Sequence, residues 1–506
     1  MSWSADFLDA LRSRRLAPVF RYQWEPVYRD PGYGTTVYSA GYAGRVSGLV
    51  NVSALGQRLQ PVEWSSQLGG FTVDIVGAEA CAAVLLSCTR GTVMAVYMGF
   101  EGWPESEWQR ICLGAVRDIQ GSQAGGPMLR VTHDDLVTST RQRFDPDATE
   151  CALFADMPAS TTLSASYTAG DSSITVASAT PFNGRTSGLI RIVPSSGDPF
   201  YLRYTARSGT TVTVATTGAY GTTAVNASSG DQVFVVAWID AHPLNIAYRI
   251  LASRDGTNGV QDVLPTEWGL GITDSLIDAD DIASFRDVVW MISGASYSWH
   301  VYEESAVDDA YGWLTGWLGA AGGFLAMRQG RITVRCAQRP TYSCGLPITV
   351  IPKEARISGD AWKYSGFSSA QRVEYCVSRV RSYSSFTTST STDAATFPVE
   401  RRKDHDLSAY LDSNEADSRT GDLNRLSIYD TRIPERVEVQ VMLEFAALTI
   451  GDLVDLDTTG ICTRQRVRGL DSAYQLGVVD LVTVDWNGGV VTLGVLIYPP
   501  DEEVLS

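Results

Sequence analysis

A chain of 506 residues with 44% hydrophobic content is long enough for three or four domains, each with its own core, which excludes an intrinsically disordered protein. Forty basic residues against fifty-seven acidic ones leave a formal charge of −17, so the surface is not built to neutralise phosphates and tight nucleic-acid binding is excluded as the main activity. The N-terminus lacks an apolar core of signal-peptide length, and no stretch approaches the roughly eighteen uninterrupted apolar residues of a membrane span, so a soluble protein made in a cytoplasm is expected.

Taken in order, the chain opens on a short amphipathic helix with Phe7, Leu8 and Leu11 on one side, and then alternates with period two. Phe71, Val73 and Ile75 alternate with Thr72 and Asp74, and further strands are expected at Thr92–Phe100, Arg110–Ile119 and Met128–Thr132, with a glycine-rich break over 121–126. A short apolar helix, Glu79–Leu86, is expected to plug or flank this first β region, residues 1–159. Residues 160–237 change character. Serine, threonine and glycine become dense, charge thins out, and five short strands are expected at Ser173–Val176, Gly188–Val193, Phe200–Tyr204, Thr210–Ala215 and Gln232–Val236. The alternation of Leu189, Arg191 and Val193 argues against a disordered linker, and Arg207-Ser208-Gly209-Thr210 has the composition of a hairpin turn.

The stretch Asn245–Ile272 resembles neither β half and is expected to join them: a short helix through Ile246, Arg249 and Ile250, a turn over Asp255–Gly259, and a Trp268-Gly269-Leu270-Gly271 corner. Helices are expected around Ile277–Phe285 and Tyr311–Met327, completing a joint and helical connector over 238–330. In Asp274–Asp287 the acids Asp278, Asp280 and Asp281 read as a solvated helix face, since the glycine and terminal glutamate of a calcium-binding loop are missing. Trp313, Leu314, Trp317, Leu318 and Leu325 recur at helical spacing, the signature of a core-facing side. After a turn at Gly330, residues 331–506 form a second β region with strands at Arg331–Arg335, Val373–Tyr383, Arg436–Phe445, and Asp480–Asp485 paired to Val490–Ile497 through Trp486-Asn487-Gly488-Gly489. A polar loop over Ser384–Thr396 is expected to be mobile or to order against a neighbour, and a helix is expected near Asn414–Ile428.

No catalytic, cofactor-binding or metal-binding residue stands out. His133, His242, His300 and His405 are far apart and form no HExxH or HxH pair. Gly294-Ala295-Ser296-Tyr297-Ser298 lacks the second glycine of a nucleophile elbow, and the Gly256–Gly259 turn has no following lysine and lies beside Asp255, which repels phosphate. Eight cysteines without a CxxC imply buried reduced thiols rather than disulfides. Four of them, Cys336, Cys344, Cys376 and Cys462, have the composition of a metal-cluster ligand set, against which plain core packing is the expectation. With fifty-seven acidic residues, a carboxylate pair for glycoside hydrolysis stays open.

Two sets of residues carry a resemblance. SITVASATPF, GLIRI, YLRYTARSGTTVTV and GAYGTTAVNASSGDQV, within 173–236, resemble a small β domain of bacteriophage tail and head-completion proteins, with Asn226 where such units often hold a histidine. RILASRDGTNGVQDVLPTEWGLGI over 249–272, LAMRQGRITVR over 325–335 and LTIGDLVDL over 448–456 are similar to the tail-tip or baseplate hub proteins of long-tailed, siphophage-like bacteriophages.

The resemblance implies a mainly β protein with a helical connector: two hub-type β-barrel domains, 1–159 and 331–506, an inserted small all-β domain, 160–237, and a helical joint. It implies no enzyme and no cofactor, but a homotrimeric virion ring that continues the tail-tube channel at the tail tip. The implied partners are the distal tail or tail-tube protein, the tape measure protein and tail fibre or tip proteins, with assembly in the host cytoplasm and genome DNA passing through without specific binding. The competing readings are a tail-associated cell-wall hydrolase and, from the thirteen tryptophans and twenty-two tyrosines, a host-receptor or carbohydrate binder.

Overall fold

The computed structural model describes residues 3–13, 18–24, 49–52, 55–60, 65–88, 90–122, 128–135, 153–154, 156–182, 185–219, 222–252, 269–270, 272, 274–293, 299–303, 305–320, 322–336, 345–363, 370–375, 385–390, 402–407, 435–461, 474–486 and 488–497. Over these residues the protein is mostly β: sheets of six, seven and eight strands, a three-stranded sheet and a two-stranded hairpin, with five α-helices between them.

The six-stranded sheet is antiparallel throughout, in the order Pro18–Trp24, Val93–Phe100, Gln109–Ser122, Met128–Asp135, Phe71–Val76, Leu49–Val52. Tyr22 and His133 sit three strands apart, roughly 14 Å at the usual spacing of a flat sheet, yet the Tyr22 hydroxyl lies 2.6 Å from His133 Nε2. The sheet is therefore curled, and side chains from distant strands meet inside it. Phe71, Val73 and Ile75 are buried there as their alternation demands, while Asp74 is held from the opposite face by Arg130 at 2.8 Å. Helix Ala78–Ser87 flanks this sheet rather than plugging it, burying Ala80, Cys81 and Val84 and leaving Leu85 and Leu86 exposed. The N-terminal helix Ala5–Arg12, capped by the Ser4 hydroxyl, buries Phe7, Ala10 and Leu11.

The seven-stranded sheet runs Ser173–Thr175, Thr211–Ala219, Phe200–Ser208, Gly188–Val193, Gln232–Ala241, Trp299–Glu303, with Ala159–Thr162 paired beside the start of Gln232–Ala241. Gly209, with φ +57°, makes the turn of the expected hairpin, in the left-handed region where a side chain is disfavoured. The expected alternation is present, and both of its sides bury apolar residues. Ile190 and Ile192 enter the main core, whereas Leu189 joins Tyr201 and Val236 in a small cluster on the opposite face. Gln232–Ala241 crosses residue 237 without a break, its first half pairing with Gly188–Val193 and its second with Trp299–Glu303.

The eight-stranded sheet is ordered Ile348–Ile351, Leu453–Asp457, Tyr474–Asp485, Val490–Ile497, Glu435–Met442, Arg356–Lys363. Its other two strands come from the far end of the chain: Leu55–Gln60 pairs with Tyr474–Asp485, and Ser65–Leu68 pairs with Leu55–Gln60. Val437, Val439 and Val441 face its core as expected, but Leu443–Phe445 is a turn of 3-10 helix beyond the strand end at Met442.

Between the sheets, helix Pro243–Ala252 buries Ile246, Arg249 and Ile250, and its last turn accepts two backbone bonds from the corner, Leu270 N to Ile250 O at 2.7 Å and Ile272 N to Leu251 O at 2.8 Å. Two expectations need correction here. The helix expected over Tyr311–Met327 spans only Ala310–Ala320, because Gly322 and Gly323 break it, so Leu325 belongs to the strand Gly323–Arg328. Residues 385–390 of the expected polar loop form a strand, Ser385–Thr390, antiparallel to Ala370–Tyr375, its three threonines favouring extended backbone. The Asp255–Gly259 turn, Trp268, Gly271, Gly294–Ser298, the Asn414–Ile428 helix and residues 376–383 and 391–396 lie outside the described residues.

Candidate functional site: a buried arginine junction

The strands Gly323–Arg328 and Arg331–Cys336 form a hairpin whose turn, Gln329-Gly330, has positive φ at both residues, 51° and 69°, as a two-residue hairpin requires. Its tip is held by the N-terminal segment and the six-stranded sheet: Trp3 N donates to Gln329 Oε1 at 2.9 Å, and Trp3 Nε1 donates to the Arg110 carbonyl at 3.0 Å. Every residue of Arg331–Cys336 is buried, so the alternate side chains Arg331, Thr333 and Arg335 must be satisfied internally.

Helix Ala279–Ser293 supplies the partners. Its N-terminus is stitched to the hairpin by the Asp278 N to Ile332 O bond at 2.8 Å, which sets Asp278 and Asp281, three residues apart on one face, against the strand. Arg335 donates from Nε and from a terminal nitrogen to the two Asp281 oxygens, both at 2.8 Å, a bidentate pair. Its other terminal nitrogen donates to Asp452 Oδ1 at 2.8 Å and to the Ile450 carbonyl at 2.9 Å, while the guanidinium carbon lies 4.6 Å from the Phe285 ring centroid. Asp281 also accepts from the Thr333 hydroxyl at 2.6 Å, and Asp278 accepts from Arg331 at 2.9 Å and Arg328 at 3.3 Å.

Burial works against charge on Arg335, but Asp452 and Asp281 outweigh it and raise its pKa above the ordinary value. Burial likewise pushes the Asp281 carboxyl upward, and Arg335, Arg328 and the Thr333 hydroxyl more than reverse it, leaving the pKa lowered. These acids were expected on a solvated helix face. Asp278 and Asp281 are instead 1% and 7% exposed, because the arginines of the adjacent strand remove the cost of burying them, and only Asp280 faces solvent.

The junction continues into the eight-stranded sheet. Gln57, on the strand contributed from the N-terminal part, pairs its amide with both backbone groups of Met327: Nε2 donates to the carbonyl at 2.6 Å, and Oε1 accepts from N at 2.9 Å. The Thr449 hydroxyl donates to the same Met327 carbonyl at 2.9 Å, and Thr449 N donates to Asp452 at 2.7 Å. Gly451, at φ +88°, brings its backbone against Phe324, where a Cβ would sit 2.8 Å from the ring. A cleft of about 450 Å³ borders the cluster, lined in part by Arg12, Asp280, Ser284, Arg328, Phe445 and Leu448.

With both carboxylates taken by arginines, the arrangement clamps strands rather than moving protons. The histidines do not gather with it. His133 is buried, stacked on Phe71 at 4.1 Å; its Nδ1 faces the Phe71 carbonyl at 3.2 Å and carries the proton, leaving Nε2 to accept from Tyr22, and burial lowers its pKa to about 3. His242 accepts from Leu244 N at 3.2 Å at the start of helix Pro243–Ala252, and His300 and His405 lie in separate strands. Cys336, Cys81, Cys88 and Cys112 are buried thiols outside any disulfide; Cys344, Cys376 and Cys462 lie outside the described residues. Among the described residues no three His, Cys, Asp or Glu side chains are grouped to hold a metal ion, and no helix is long and apolar enough to cross a membrane.

No family model and no curated protein sequence matches the chain. Among solved structures it is similar to the 43 kDa tail protein of prophage MuSo2 from Shewanella oneidensis, at 10% identity and TM-score 0.37, with 95% of this chain and 98% of that one covered. It is also similar to a tail protein from Neisseria meningitidis MC58, at 9% identity and TM-score 0.34, with 88% and 92% covered. A chain of the virion of a native gene transfer agent particle aligns at 12% identity and TM-score 0.32, with 68% and 85% covered.

Proposed function

We propose that the protein is a structural subunit of a phage-type tail: the hub ring at the tail tip, which continues the tube channel and docks neighbouring tail proteins without catalysis. The observation that carries this reading is the meeting of the three segments that resemble hub proteins at one hairpin, Gly323–Arg328 with Arg331–Cys336. Leu325–Arg335 is the hairpin itself, Leu448–Leu456 supplies Ile450 and Asp452, and the first segment begins within helix Pro243–Ala252, which packs on the Arg331–Cys336 strand. Segments more than a hundred residues apart thus form one junction, which fastens the hairpin and helices to the eight-stranded sheet.

In this reading the subunit is a trimer whose stability lies in fixed packing, and part of the −17 charge lines a lumen so that DNA passes without adhering. Native mass spectrometry of the purified chain, with class averages by electron microscopy, tests it. A trimeric ring with a central channel is expected; a monomer at every concentration, or cell-wall hydrolysis on a zymogram, would count against it.

A further inference from the structure

The seven-stranded sheet has a second, outward face unlike the rest of the molecule. The strands Ala159–Thr162, Ser173–Thr175, Gly188–Val193, Phe200–Ser208 and Thr211–Ala219 contain no aspartate or glutamate and bring Arg191 and Arg203 to this face, while Gln232–Ala241, which supplies Phe234, Val236 and Trp238 to it, carries Asp240 near its end. The register places Arg191 opposite both Tyr201 and Phe234, and Leu189 opposite both Arg203 and Val236, so these six side chains form two adjacent rows on one face. Arg203 lies over the Trp238 ring at 4.8 Å and Arg191 over the Phe234 ring at 4.7 Å. Beneath them Leu189, Tyr201 and Val236 are only 1–2% exposed although they point away from the main core. Arginine stems and aromatic rings roof this small cluster.

We propose that this face docks an acidic, extended segment of a protein partner. The inference is independent of the tail reading. The exposed Arg203 guanidinium, stacked on its ring, has little rotamer freedom left to lose, and its planar fork matches a carboxylate bidentately, while Arg191 over Phe234 adds positive charge beside it. Arg203 is exposed and has no carboxylate partner among the described residues. Exposed Thr213 and Thr216, the latter directly opposite Arg203, add hydroxyls on the neighbouring strand.

The same stacking decides against a sugar or a nucleobase as the occupant. The arginines cover ring faces of Trp238 and Phe234 on which either would stack, and a chain of net charge −17 repels a long polyanion while tolerating a few local carboxylates.

The test is fluorescence anisotropy of the purified full chain with a labelled peptide of alternating glutamate and threonine, at low salt. Measurable binding is expected, weakened at least about tenfold by Arg191→Gln with Arg203→Gln, less by the paired Arg→Lys changes that keep charge but lose the planar fork. It should fall with added salt and be unaffected by Lys353→Gln, a charge in the 3-10 turn between the strands Ile348–Ile351 and Arg356–Lys363 of the eight-stranded sheet. No binding by the wild type, equal loss with Lys353→Gln, no change in the folded Arg→Gln pair, or tighter binding of a DNA oligonucleotide or an acidic polysaccharide would each overturn the proposal.

Discussion

Arg335 lies fully buried between Asp281 and Asp452, whereas Arg203 lies exposed over Trp238, and the two places differ in what the fold has done with the guanidinium edge. At the junction the edge is consumed: four hydrogen bonds, to two carboxylates and one carbonyl, tie three segments together. On the outward sheet only the flat face is used, and the edge stays open. Arg335, with its edge fully bonded, is a fastening, and exposed Arg203 is a contact held ready for something else. The contrast predicts a steep ranking of consequences.

The largest effect belongs to Arg335→Met, which leaves Asp281 and Asp452 buried without their cation and should cost about 3–5 kcal/mol in chemical denaturation. Adding Asp281→Leu should recover part of that loss, because the uncompensated charge is then gone. Acid acts next, through two buried groups with different windows. His133 has a folded pKa of about 3, so above its unfolded value of about 6.5 it contributes no pH dependence. As pH falls from there toward 3 the unfolded chain takes a proton that the folded one refuses, and stability drops by about 1.4 kcal/mol per unit. Asp281, whose folded pKa is lowered, stabilises fully above its unfolded value near 3.9 and is lost only below it. Replacing His133 by Phe should therefore flatten the stability profile between pH 6.5 and 4, the first window. Gly451→Ala should cost about 1–3 kcal/mol, since the residue holds φ +88° and a Cβ would meet Phe324. Arg203→Ala is the smallest, within about 1 kcal/mol by thermal unfolding, because an exposed cation–π pair contributes no more.

The same contrast shows which parts of the molecule were legible in the sequence. Strands with one wet and one dry face announced themselves: Phe71, Val73 and Ile75, or Val437, Val439 and Val441, bury as their alternation says. Gly188–Val193 is a strand as its period says, but both of its faces bury apolar residues, so period two alone does not tell which side is inner. The strand Leu55–Gln60 escaped notice because its partner lies more than four hundred residues away, and no local pattern encodes so distant a pairing. The junction has its own signal in the sequence. Arg331, Thr333 and Arg335 alternate on a strand while Asp278 and Asp281 recur at helical spacing, and two complementary charge patterns at the two periods are what a buried ion network requires. Taken alone the acids resembled a solvated face, since their partners are set by tertiary packing.

The central claim is that Arg335 fastens three distant segments into one unit, and hydrogen exchange followed by mass spectrometry on Arg335→Met tests it most directly. The prediction is a joint loss of protection in peptides covering 325–336, 448–456 and 278–287, with the strands around His133 in the six-stranded sheet retaining theirs. Loss confined to 331–336, with 448–456 and 278–287 as protected as in the wild type, would contradict the account.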